Sequence, residues 1–360
     1  MSKSETIDSL DVIPLKAPLI QPFRTALGSH ESLENVLFAL TLSGGTKGLG
    51  EAAIATHITG ETIQKTVRNL NAVGESLVGQ DPSDYLRISA ELHERLPANQ
   101  SAVAAVESAL MDALTRQWNI PLWKFFGSSP KKLSSDITIV IADLKETESA
   151  VKKFTRQGFR SFKVKIGRDE KLDYERVLAV KRLAPRAAIY LDANQGFSAD
   201  ETLRFLKLLQ CAGVRPQLIE QPVPAADWEG LKRVTRLSRV PVCADESVRS
   251  LADAVRIIKE KAASIINVKL MKTGIWESRE IALLARANGV KLMVGGMMET
   301  SLAMTASAHL AAGLGGFDYV DLDTPFFLKF GERNPYLSVR GVYDVGRVKA
   351  GIGIRPKMIF

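Results

Sequence analysis

The chain has 360 residues, 46% apolar and 24% charged, a balance that excludes a disordered, fibrous or collagen-like protein and leaves ample length for a packed core. Forty-eight Lys and Arg against 40 Asp and Glu give a net charge of +8, but the two signs are interspersed, which describes a solvated mixed surface better than a nucleic-acid stripe. Cys211 and Cys243 offer no disulfide framework, the start MSKSETIDSL has no apolar leader core, and no run of about 20 apolar residues occurs, so a cytoplasmic protein with no nucleic-acid or membrane partner is expected.

In chain order, VLFALTLS (36–43) reads as a strand. GGTKGLG (44–50) has neither G-x-G-x-x-G nor Walker spacing and reads as a hairpin turn. Ser101 to Trp118 repeats Val103, Val106, Leu110 and Leu114 at helical spacing, so the first part of the chain is predicted to be an α+β unit. From residue 136 the texture changes to short apolar runs followed by amphipathic helical segments: 136–142, 162–166, 188–193, 217–222, 240–246, 265–270, 291–296 and 318–323. One of the helices between them carries a capping box, Ser198 with Glu201. Lys165, Asp192, Glu220, Asp245, Lys269, Gly295 and Asp321 follow one another at steps of 24 to 28 residues. That rhythm over eight strands predicts a (β/α) barrel, with a Gly-rich tail too short to fold alone returning to the first unit.

Chemistry in such a barrel sits at the carboxyl ends of the strands. Three neighbouring strands end in Asp192, Glu220 and Asp245. Any one alone suits a solvated surface, but three converging acids need a cation, and all-oxygen ligation selects a hard one such as Mg²⁺. Cys243 shares the inward parity of Asp245 but lies two residues deeper. Lys163 and Lys165 share a face of the second strand, while Lys269 shares one with Asn267 on the sixth, diametrically opposite. Two amines on opposite faces of a substrate carboxylate held on the metal are set to remove an α-proton from one side and return one to the other, inverting the carbon through an enediolate. Asp321 and Asp323 end the eighth strand and face the metal from across the mouth, a place for a substrate ammonium; a structural pair before Pro325 is the plainer alternative.

FKVKIG (162–167), YLDANQGF (190–197), IEQPVP (219–224), ADES (244–247) and NVKLMKTG (267–274), with AAVESALMDAL (104–114), carry a resemblance to the muconate-lactonizing enzyme subgroup of the enolase superfamily, and most to its dipeptide epimerases. The resemblance implies a (β/α)7β modified TIM barrel over residues 131–325, capped by an α+β domain built from 1–130 and the tail 326–360. It implies an isomerase with one Mg²⁺ per subunit, held by Asp192, Glu220 and Asp245. Lys165 and Lys269 would be the acid/base pair, with Lys163, Asn194 and Glu246 supporting them, while Glu299 at the mouth is a candidate for orienting the substrate. The D-x-D of Asp321 and Asp323 matches the dipeptide epimerases, where such a pair holds the amino-terminal ammonium. Other members remain alternatives: N-acylamino acid racemase, o-succinylbenzoate synthase and muconate cycloisomerase. A catalytically idle barrel binding an anionic partner is the remote one.

There are departures from the pattern. Ile275 stands where the family has a second glycine. The arginine that members acting on an acidic residue carry after T-A-L is missing, since TAL (25–27) is followed by Gly28 and Arg24 lies before it. Arg24, Met297 and Met298 are candidate substrate-binding residues and His57 a candidate pocket residue, with the cap loops at 23–30 and 55–60 expected to line the pocket. The family also makes a homo-oligomer plausible.

Overall fold

The computed structural model describes residues 5–127, 132–329 and 334–355. Polar and apolar residues alternate along β1 (Ile7–Thr25) and β2 (Gly28–Leu42), which pair with β3 (Lys47–Ala53) as an antiparallel sheet in the order β1-β2-β3. VLFALTLS is thus the second half of β2. Its partner β1 escapes a reading by apolar runs because Asp8, Asp11, Pro14, Lys16 and Pro18 interrupt it.

Helices α1 (Thr56–Thr59), α2 (Ile63–Leu77), α3 (Tyr85–Arg95) and α4 (Gln100–Gln117) follow, and the short α5 (Leu122–Phe125) leads toward the barrel. Only part of GGTKGLG is a turn. Gly45, at φ 83°, makes the reversal, whereas Gly48 and Gly50 lie inside β3, where a Cβ would sit 2.0 and 1.9 Å from the carbonyl oxygens of Ala109 and Ala105. Their missing side chains let α4 lie directly on the sheet.

After β4 (Leu133–Ser134), strands and helices alternate: β5 (Ile137–Ile139), α6 (Leu144–Gln157), β6 (Ser161–Lys165), α7 (Glu170–Leu183), β7 (Ala188–Asp192) and α8 (Ala199–Cys211). They continue as β8 (Leu218–Glu220), α9 (Trp228–Leu237), β9 (Val242–Ala244), α10 (Leu251–Glu260), β10 (Ile265–Val268), α11 (Leu270–Ala287), β11 (Lys291–Val294), α12 (Ser301–Leu314) and β12 (Tyr319–Val320). The eight strands pair in chain order, and Asp136 N donates to Val320 O at 2.9 Å to join the last to the first. Among the described residues no α-helix follows β12, only the short 3-10 turns Thr324–Phe327 and Val345–Arg347, so the barrel is (β/α)7β. The Ser198–Glu201 capping box starts α8.

Odd and even positions of each strand separate two environments. Phe162, Val164, Ile219, Val242 and Ile266 face the helices, while Tyr190, Leu218, Cys243, Ile265, Met293 and Tyr319 close the barrel interior as an apolar floor. The inward residues one step higher are polar, and they form the site.

The tail returns to both parts of the molecule. β13 (Val342–Tyr343) pairs with β4, and the Tyr343 hydroxyl donates to Leu322 O at 2.7 Å. Ile352 N donates to Asp112 of α4 at 2.6 Å. Among the described residues no helix is long and apolar enough to cross a membrane.

Candidate active site

Strand register sets the acids side by side. Asp192 pairs with Lys165 on one side and Glu220 on the other, and Glu220 pairs with Cys243, which leaves Asp245 two residues higher on β9. All three acids are at most 1% exposed. Buried carboxylates need cations, and here ammonium groups take that place. Lys163 Nζ lies 3.0 Å from Asp192, 2.7 Å from Glu220 Oε2 and 2.6 Å from Asp321. Lys165 Nζ donates to Asp192 at 2.7 Å and to Asn194 Oδ1 at 3.0 Å. Asp245 accepts from Lys269 at 2.6 Å and from Lys272 at 2.7 Å.

The electrostatics follow from that interleaving. Burial alone would raise Asp192, but Lys163 and Lys165 hold its carboxyl down at about 2. Asp245 is likewise held well below the usual carboxylate range by Lys269 and Lys272 against burial. Glu220 is pushed up to about 7, first by burial and then by Asp192. Burial works against the Lys269 ammonium, yet Asp245 and Glu220 more than offset it and raise its pKa. Although Lys163 Nζ is close, Glu220 Oε2 has no aligned donor, and Glu246 Oε2 has none. An all-oxygen, buried donor set with an oxygen left without a donor fits a hard divalent cation.

One cavity collects most of the residues expected from sequence. Lys163, Lys165, Asn194, Lys269, Met297, Met298, His57, Asp321 and Asp323 all line it. Glu246 stands behind, 3.4 Å from Asn194 Nδ2, and burial together with Asp245 raises its carboxyl to about 8. Glu299 is tucked under the loop after β11, accepting from Met297 N at 2.6 Å, and burial pushes it up to about 8. Arg24 is placed elsewhere: strand alternation turns Phe23 and Thr25 into the cavity and Arg24 outward, 3.8 Å from Glu146 of α6. The pocket's cap side is formed by Phe23, Leu27, Ile54 and Ile58, with His30 and His57 ring to ring at 5.9 Å.

Four further residues take part. Lys272, on the first turn of α11, also donates to Asp245 O and Asn267 O at 2.8 and 2.9 Å. Gln221 bonds the backbone N–H groups of Asp245 and Ser247. Thr138 N donates to Asp323 Oδ2 at 2.6 Å, and Asp136 lies beneath the Asp321/Asp323 pair. Lys272 was readable in the K-x-x-K of NVKLMKTG, and Asp136 and Thr138 in the inward parity of the first strand.

A seven-helix (β/α) barrel whose mouth gathers three buried acids, opposed lysines and a second acidic pair beneath an α+β cap defines a class of acid/base enzyme. The chain belongs to the mandelate racemase/muconate lactonizing enzyme family of the enolase superfamily. Residues 9–127 match the mandelate racemase/muconate lactonizing enzyme N-terminal domain and residues 146–359 the enolase C-terminal domain-like family. A hydrophobic dipeptide epimerase from Citrifermentans bemidjiense is 49% identical, over 95% of this chain and 96% of its own. The dipeptide epimerase of Enterococcus faecalis V583, complexed with Mg and L-Leu-L-Tyr, superposes with a TM-score of 0.92 at 29% identity, covering 97% of this chain and 99% of that one. The substrate-liganded L-Ala-D/L-Glu epimerase from Bacillus subtilis gives 0.93 at 32% identity, covering 97% and 98%.

Proposed function

We propose that the protein is a Mg²⁺-dependent dipeptide epimerase, an isomerase that inverts the α-carbon of a dipeptide's carboxyl-terminal residue by two-base 1,1-proton transfer. The observation that carries this reading is one cavity lined by Lys165 and Lys269, from the second and sixth of eight barrel strands, together with Asp321 and Asp323. Asp192, Glu220 and Asp245 would hold the metal, which supplies positive charge beside the substrate carboxylate and so acidifies the α-proton. Lys165 Nζ and Lys269 Nζ exchange that proton from opposite faces of the carbon. Lys163 supports the first electrostatically, and Asn194 fixes the Lys165 ammonium. Asp321 and Asp323 bind the ammonium, a group that acylated amino acids, succinylbenzoate precursors and muconates lack, which favours dipeptides over the other reactions of the family.

The side-chain pocket is apolar where Phe23, Leu27, Ile54 and Ile58 of the cap meet Met297 and Met298 of the loop after β11, and Arg24 points away from it. An apolar carboxyl-terminal residue is therefore the preferred substrate, in line with the 49% identical relative. The test follows deuterium uptake at the α-carbon by NMR in D₂O with Mg²⁺ and each epimer of a hydrophobic dipeptide. Lys165→Ala is expected to lose exchange from one epimer and Lys269→Ala from the other, each by about 10³-fold or more. Retained exchange from both epimers in both variants would overturn the two-base assignment.

A further inference from the structure

Asp136 stands at the start of β5, where its backbone N–H helps close the barrel and its side chain points inward below Asp321 and Asp323. It is 1% exposed, and neither carboxylate oxygen meets an N–H or hydroxyl donor. One oxygen from each of the three acids lies within 4.8 Å of the others. The upper two are not alone: Asp321 accepts from Lys163 Nζ and Asp323 from Thr138 N, each at 2.6 Å. Under Asp136 lie the rings of Tyr190 and Tyr319, packed edge to face at 5.5 Å on the apolar floor.

A bare carboxylate in that position would be buried without a hydrogen-bond donor and beside two other acids. The groups it faces within 4.8 Å are the carboxyls of Asp321 and Asp323, and a hydrogen bond between two such groups needs a proton on one of them. Burial first, then Asp321 and Asp323, drive the Asp136 carboxyl well above its ordinary value, while Lys163 pulls the other way. The lower acid is thus the one that keeps the proton.

We propose that Asp136 is a positioning residue for substrate-amine recognition, its neutral carboxyl group donating a hydrogen bond to Asp321 and so fixing the orientation of the Asp321/Asp323 pair. The inference rests on the dipeptide reading. It gives the pair a rigid lower support, so a substrate ammonium meets acceptors already in place rather than a site it must order. Asp136 lies outside the lining of the cavity, so its effect belongs to binding of the amine rather than to proton transfer.

The test uses the full-length protein with Mg²⁺, with L-Ala-L-Leu as substrate and N-propionyl-L-leucine, the same molecule without its amine, as competitive inhibitor. Asp136→Ala is expected to raise KM for the dipeptide about tenfold with kcat within about twofold, and to leave the inhibitor's Ki unchanged. Asp136→Asn, whose amide still donates, is expected to restore KM. In the infrared difference spectrum of wild type minus Asp136→Asn near neutral pH, where the bands of protonated Glu246 and Glu299 are common to both and cancel, one protonated-carboxyl carbonyl band should remain, a readout available even if the alanine variant does not fold. A Ki that rises in parallel with KM, an asparagine variant as poor as alanine, or no such band would overturn the proposal. Wild-type protein without exchange on any free dipeptide would take down the dipeptide reading and this inference together, whereas normal exchange untouched by the substitutions would sink this inference alone.

Discussion

Gln221 is satisfied at every polar atom. Its Oε1 accepts from Asp245 N at 3.0 Å and Ser247 N at 3.1 Å, and its Nε2 donates to Val223 O at 3.0 Å and Ser247 Oγ at 2.8 Å. It also holds φ at 30°, a conformation that the surrounding bonds must impose. Gln221→Leu keeps the volume and strands two buried N–H groups, so a loss of about 2–4 kcal/mol in urea unfolding is expected, with weaker Mg²⁺ binding by calorimetry because Asp245 is no longer pinned. Unchanged stability and affinity would show that the loop holds Asp245 without it. The acids and lysines of the mouth were legible in sequence because each ends or lines an apolar run at a steady step. Gln221 follows Glu220 with outward parity, so nothing in the pattern reveals that its side chain turns back to serve the neighbouring strand. Arg24 illustrates the opposite case, a residue in the right segment whose strand parity sends it the wrong way.

Helix α11 breaks at Gly274, whose φ of 69° and ψ of −173° end the first turn carrying Lys272 and start a second helix at Ile275. Glu107, from α4 of the cap, accepts from Ile275 N and from Trp276 N, so a buried carboxylate caps the new helix. The departure from a second glycine is accommodated because only Gly274 needs the left-handed backbone, while Ile275 is buried at 1% exposure against the core. A Cβ at 274 would lie 2.4 Å from Glu107 Oε2. Gly274→Ala combines that clash with backbone strain, and a loss of about 2–4 kcal/mol in unfolding free energy is expected, where an ordinary helical glycine would gain from alanine. Stabilisation by the substitution would mean that the break is incidental. The strands were legible in sequence, but each apolar run continues one to three residues past its strand's carboxyl end, because inward parity persists beyond the last ladder bond into the loops that carry Asp245 and Lys269. The break in α11 was not legible, since Gly274 reads equally well as a loop residue.

At the scale of the molecule, the cap is joined to the barrel and to the tail by polar ties. Asn35 Nδ2 donates to Met298 O at 2.8 Å, Thr300 Oγ1 donates to Glu51, and Asp112 accepts from Ile352 N. The anchors of the tail were not legible, because Asp112 and His309 sit on helices whose apolar spacing hides them. His309 of α12 is fully buried: its Nδ1 accepts from Trp123 N at 3.0 Å, so the proton is on Nε2, which donates to Ile352 O at 3.0 Å. Burial lowers its pKa to about 4. In the unfolded chain an ordinary histidine takes up a proton near 6.5, so between that pH and about 4 the unfolded state binds the extra proton. The stabilisation is therefore complete above the unfolded pKa and lost as pH falls toward the folded one, in total about 3 kcal/mol. Glu220, Glu246 and Glu299, raised to about 7, 8 and 8, act with opposite sign over much of the same range, because the native state holds their protons longer. The whole stability curve therefore mixes the two, and His309→Gln, which cannot titrate, separates them. Relative to that variant, the wild type is expected to lose about 3 kcal/mol in urea unfolding between pH 7 and pH 4, and a difference that stays flat would mean that His309 takes up its proton in the native fold at the same pH as in the unfolded chain.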